Sequence, residues 1–192
     1  MNNIKKYLLI GLGAVVLIGL SWFIFGGNYP IVFVDFSAIS AKDYNKNYLS
    51  SLNYYEKALK TYAQDSQVLE ADEAKQEIKR AVLDNLIEDI LIGRELKKEI
   101  KQDDLNVLVE KKINEISESQ IADKAIETLY GFSFNEFRQR VLKPQAKKEI
   151  LENRLFLAGI DFDEKMKDIK AQSRVKIFLS GFGWNGKEVV IK

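Results

Sequence analysis

DNLIEDILIGRELKKEI, residues 84–100, decides the fold of this chain. Its apolar residues recur at spacings of three and four, the period of an α-helix buried along one side. Read outward, the pattern begins near Asp72 and predicts a single helix to Ile100. Ile78, Val82, Leu86, Ile90 and Leu91 mark its buried side, and Leu83 and Ile87 widen it. An apolar surface of that width predicts a helix covered on more than one side.

Upstream, Ser40 is the expected N-cap of another helix, residues 41–62. Its stripe is Tyr44, Tyr48, Leu52, Tyr55, Leu59 and Tyr62. Tyrosine joins an apolar body to a polar tip, which suits a surface both greasy and wet. The stripe can pack on the 72–100 helix, or line a groove for extended polypeptide, or do both along its two edges. Tyr44, Tyr48 and Tyr55, together with Phe132, are the candidate groove residues.

Downstream, Gln102-Asp103-Asp104 ends the long helix and caps a third, residues 105–116, with Leu105, Leu108, Val109, Ile113 and Ile116 on one face. Residues 122–130 form a short helix closed by Gly131. Ser133 and Glu136 have the spacing of a capping box and open a helix from Phe134 to Phe156. Pro144 lies inside it and predicts a kink, because proline removes one hydrogen bond and crowds the preceding turn. Asp161 caps a last helix, residues 162–171.

Strand-forming composition marks the two ends of this helical region. IVFVDFSAI, residues 31–39, reads as one strand, and RVKIFLSGF, residues 174–182, as another. Asn185-Gly186 signals a turn, with residues 187–191 as the return strand. Pairing of residues 31–36 with 175–179 would tie the ends together. The expected fold is therefore mostly α, closed by a small β-sheet built from the N- and C-terminal segments.

Ahead of it, YLLIGLGAVVLIGLSWFIF runs from Tyr7 to Phe25, 19 residues without a charge. As a helix it would be about 28 Å long, close to the hydrocarbon thickness of a bilayer. Lys5 and Lys6 precede it, and the next basic residue is Lys42. The positive-inside rule puts the N-terminus in the cytoplasm and the domain outside. A cleaved signal peptide is the competing reading, but the run is long for one and no small-residue cleavage site follows. The chain divides into residues 1–27, a cytoplasmic N-terminus with a transmembrane anchor whose ends are Tyr7 and Phe25, and residues 28–192, an extracytoplasmic domain.

Composition narrows the chemistry. The 192 residues include no Cys and no His, which removes disulfides, thiol nucleophiles, Ser-His-Asp triads and His- or Cys-based zinc sites. Lys and Arg total 29 and Asp and Glu 28, a balance without the basic excess of a nucleic-acid binder. Paired carboxylates such as Glu88-Asp89, Asp103-Asp104 and Asp161-Asp163 fall on helix surfaces or at caps, where nothing tunes their pKa for catalysis. Arg138, Arg140, Lys143, Lys147, Lys148 and Arg154 cluster on the Pro144 helix, interleaved with acids, and read as a solvated face.

The order of these parts resembles a known family. The long helix quoted above is followed by Asp103-Asp104-Leu105, then LYGFS (residues 129–133), then FNEFRQRVLKPQAKKEILENRL (residues 134–155). This is similar to the N-terminal domain of SurA-type periplasmic chaperones, with related domains in trigger factor and in membrane-anchored foldases of the PpiD and PrsA type. The resemblance spans residues 31–156, and the segment 161–179 looks like the family's returning C-terminal piece. Many members insert a parvulin-type prolyl isomerase domain between those two parts. Here only residues 157–160 separate them, so the resemblance implies a chaperone module without that enzyme. It implies no cofactor, and as partners it implies unfolded or nascent secreted polypeptides, the membrane and the secretion machinery. A non-catalytic scaffold subunit of an envelope or secretion complex is the alternative, using the same apolar surface for one fixed partner.

Overall fold

A computed structural model describes residues 26–62, 66–117 and 123–192. The span expected at Tyr7–Phe25 lies outside them; among the described residues no helix is long and apolar enough to cross a membrane. In chain order the elements are β1 (Pro30–Val34), β2 (Ser37–Ser40), α1 (Ala41–Thr61), a 3-10 turn (Ser66–Glu70), α2 (Asp72–Glu99), α3 (Gln102–Ser117) and α4 (Asp123–Tyr130). They continue with α5 (Phe134–Phe137), a π-helical turn (Arg138–Leu142), α6 (Lys143–Leu157), α7 (Phe162–Gln172), β3 (Val175–Ile177), β4 (Phe182–Trp184) and β5 (Val189–Ile191). The domain is mostly helical, as its apolar periodicity predicts, and carries two small sheets rather than the single one expected.

Helix α2 is the hub. Leu83, Ile87 and Leu91 are wholly buried, and Ile78, Val82, Ile92 and Leu96 nearly so. Leu86 and Ile90 are only partly covered, although they share the expected stripe. The wide apolar surface thus divides into a deep side and a side left half-open. Helix α3 adds Leu105, Val109 and Ile113 to the core, while Leu108 is exposed. Its helix begins at Gln102, so Asp103 and Asp104 lie in the first turn rather than capping it. Carboxylates there still oppose the positive end of the helix dipole.

The expected strand 31–39 is two strands. Asp35 turns the chain at φ 51°, and β2 folds back antiparallel on β1. No glycine signals this turn. Asp35 stands in for one, its short polar side chain being tolerated in the left-handed region. Asp35 is also fastened from outside: its N–H donates to the Arg174 carbonyl (2.8 Å), its carboxylate accepts from the Arg174 N–H (3.0 Å), and Arg94 pairs with it. The first sheet has the order β2-β1-β3, with Val32 opposite Ile177 and Val34 opposite Val175, the expected tie between the chain's ends.

The second expected strand, 174–182, also divides. Gly181 takes φ 83° and redirects the chain, so Phe182 opens a separate two-stranded sheet with β5. Asn185 closes that hairpin by accepting from the N–H groups of Lys187 (2.8 Å) and Glu188 (2.9 Å). The hairpin docks on α2 through the Val189 N–H, which donates to Asp84 (3.1 Å).

Both predicted caps of the remaining helices form. Asp161 accepts from the Glu164 N–H at 2.9 Å, and Ser133 and Glu136 make the reciprocal capping box. The feature expected at Pro144 takes a particular form. The Lys143 N–H donates to the Arg138 carbonyl, five residues back, so the helix widens into a π turn just before the proline. That widening relieves the clash between the proline ring and the carbonyl four residues earlier.

Candidate functional site

The half-open side of α2 faces a cleft. Helix α1 forms one wall, α2 the floor, and the π turn with the start of α6 the other wall. Its volume is about 570 Å³. Val82, Leu86 and Ile90, one turn apart along α2, form an apolar strip in the floor, edged by Asn85 and Asp89. Val141 and Pro144 supply apolar surface opposite, with Gln139 and Gln145 beside them.

Aromatic rings close one end. Tyr54 stacks on Tyr130 with ring centroids 5.2 Å apart, and Tyr55 meets Tyr54 edge-on at 5.8 Å. Asn53 fixes this arrangement by donating to the carbonyls of Thr128 (3.0 Å) and Leu129 (2.9 Å), the orphan acceptors at the end of α4. Gly131, at φ 66°, then turns the chain so that Phe132 enters the same wall. The Arg140 guanidinium lies 6.0 Å from the Phe132 ring centre. Burial and the neighbouring Tyr54 hold the Tyr130 hydroxyl above its ordinary pKa, so it is a neutral donor at physiological pH.

The charges around the cleft are matched. Asp43 pairs with Arg140 (3.1 Å), Asp89 with Lys147 (2.9 Å) and Glu88 with Lys148 (3.6 Å). In each case a cation of the proline helix meets an anion of α1 or α2. Arg138 pairs with Glu110, and Arg154 with Glu99. Most of the basic cluster seen in the sequence is therefore used to hold helices together. Among the described residues no group of acidic side chains could hold a metal ion.

The four residues expected to line a groove are divided. Tyr55 and Phe132 do line the cleft, Tyr55 half-exposed and Phe132 mostly buried in the wall. Tyr44 does not: it is 4% exposed and belongs to the core. Burial, with Tyr48 alongside, pushes its hydroxyl up to about 12. Tyr48 stacks on Tyr44 at 6.3 Å and lies outside the cleft, with Lys79 over its ring. The stripe follows the helix only so far. Its first turns are covered, and Tyr55 alone of the stripe lines the cleft; Asn47, Ser51 and Tyr54, which also line it, sit beside the stripe rather than on it. Tyr130 and Arg140 come from distant segments, and no local spacing reveals that they meet Tyr54 and Phe132. A scan against family models and searches of characterised proteins and solved structures give no match to this chain.

Proposed function

We propose that this chain is a membrane-tethered holdase that takes up extended apolar segments of unfolded polypeptide outside the cytoplasm, without ATP or chemistry. The observation that supports it is the cleft: apolar along its floor, aromatic at one end, and edged with amides. Asn85 and Gln139 make no side-chain hydrogen bond among the described residues and are available to a peptide backbone. A volume of about 570 Å³ has room for a few apolar side chains and not for a folded partner. Because the surrounding charges are already paired, binding draws on burial of client side chains, and any extended apolar segment qualifies. Tethering through residues 7–25 raises the effective concentration near chains leaving a translocation channel.

The test uses the full chain in lipid nanodiscs. Light scattering from a chemically unfolded protein diluted into buffer should rise more slowly in its presence, and added salt should change this little. Ser51→Trp, which fills the cleft from α1, should abolish the protection with an unchanged circular dichroism spectrum. No protection by the wild type at several-fold excess would sink the holdase reading and leave a scaffold role with one fixed partner.

A further inference from the structure

The sheet that ties the chain's ends together turns an apolar face away from the core. Val32 and Val34 are buried, so by strand alternation Phe33 between them points outward. Phe33 meets Phe178 edge-on at 5.9 Å, and Phe178 is 64% exposed. At the β1–β2 turn Phe36 is 97% exposed. Three phenylalanines on one small sheet are costly to leave in water.

The sequence supplies an occupant. The uncharged run Tyr7–Phe25 ends one residue before Gly26, the first described residue. From Gly27 the backbone is already fastened to the domain. The Gly27 carbonyl accepts from the Lys42 N–H at 2.8 Å, and the Tyr29 carbonyl from the Ala41 N–H at 3.0 Å. Gly26 alone stands between the apolar run and a docked backbone, so no flexible spacer can lift this sheet off a membrane. Lys176 lies directly across from Phe33, and Arg174 is exposed nearby, both suited to lipid phosphates. We infer that the outer face of β1–β2–β3, with Phe36 at its tip, sits in the headgroup layer of the bilayer and fixes how the domain stands on the membrane. This rests on the reading of residues 7–25 as a membrane anchor, but not on the holdase reading.

The chain's lack of cysteine makes the test direct, since one introduced thiol takes one spin label. The full chain is reconstituted in vesicles of phosphatidylethanolamine and phosphatidylglycerol. Labels go at Phe36→Cys and Phe178→Cys, with Phe156→Cys (80% exposed on the last turn of α6) and Val15→Cys for comparison. Relaxation by oxygen, which enters lipid, is compared with relaxation by a water-soluble nickel chelate. The oxygen-to-nickel ratio at 36 and 178 should exceed that at 156 several-fold. Equal ratios at 36, 178 and 156 overturn the inference, and the ratio at 15 then tells whether the anchor falls with it. Label–label broadening at 36 that persists on dilution into excess lipid would mean a second copy covers the face, which also overturns it. A lipid signal at 36 with an aqueous one at 15 overturns the inference as argued, since the sheet would then meet lipid without the anchor that places it there.

Discussion

Helices α1 and α2 are both long and run side by side, yet they are held very differently. Along α2, Ile78, Val82, Leu83, Ile87, Leu91, Ile92 and Leu96 are all buried. Along α1 only Ala41, Tyr44 and Ser50 are, and Leu49, Tyr54, Tyr55 and Tyr62 are exposed. A helix buried deeply along a broad side specifies a fold, whereas a helix covered along one edge leaves surface for something else. The cleft lies where the two regimes meet.

The comparison breaks most visibly in a pair of truncations. Leu91→Ala should cost about 2–5 kcal/mol in chemical denaturation, the range for deleting a buried leucine side chain. Leu49→Ala on α1, 61% exposed, should stay within about 0.5 kcal/mol. Similar losses at both sites would erase the distinction.

A second test concerns charge on α2. The Glu95 side chain is only 8% exposed, and burial alone would raise its pKa. Ion pairs with Lys98 and Lys165 outweigh that and hold it below the ordinary 4.5. A lowered folded-state pKa contributes stability above the unfolded value and loses it as pH falls through the folded one. Glu95→Gln should therefore be less stable than wild type at neutral pH, with the gap narrowing as acidification takes Glu95 itself through its lowered pKa.

Gly93 gives a smaller effect of opposite sign. It is buried in the middle of α2, and a Cβ there would lie 3.7 Å from the Lys147 ammonium, an ordinary contact. Gly93→Ala should stabilise the domain by about 0.5–1 kcal/mol, read from the same denaturation curves.

The smallest effect belongs to the covered end of α1. The Tyr44 hydroxyl is buried without a hydrogen-bond partner. Its pKa near 12 exceeds the ordinary 10, so folding holds the proton that unfolding releases. Stability from this group is intact below pH 10 and declines as pH rises toward 12. Tyr44→Phe should match or slightly exceed wild type at neutral pH and show a shallower decline over that alkaline window.

Much of this was legible in the sequence. The periodicity around Leu83–Leu91 predicts α2 to within a residue of its observed end, and the Ser133–Glu136 spacing predicts a capping box that forms. The pairing of the chain's two ends was also readable, since isolated strands in a helical domain need partners. What could not be read depends on distance or on backbone conformation. Residues 31–39 are strand-like throughout, and nothing but the left-handed φ of Asp35 divides them. Pro144 foretells a distortion but not the π turn that absorbs it. The tyrosine spacing defines a face of α1 and says nothing about which part of that face another helix covers. The cleft's aromatic end joins Tyr54 to Tyr130 and Arg140 to Phe132, contacts that exist only after folding.

The pairing of β1 with β3 also sets a schedule. Strand β1 emerges early in synthesis and can hold β2 in a local hairpin at once. Its other edge waits for residues 175–177, near the end of the chain. Closing so long a loop is entropically costly and slow. Until residues 175–177 have been made, Val32 and Val34 lack their third strand, so the sheet completes itself only after every helix of the domain has been synthesised.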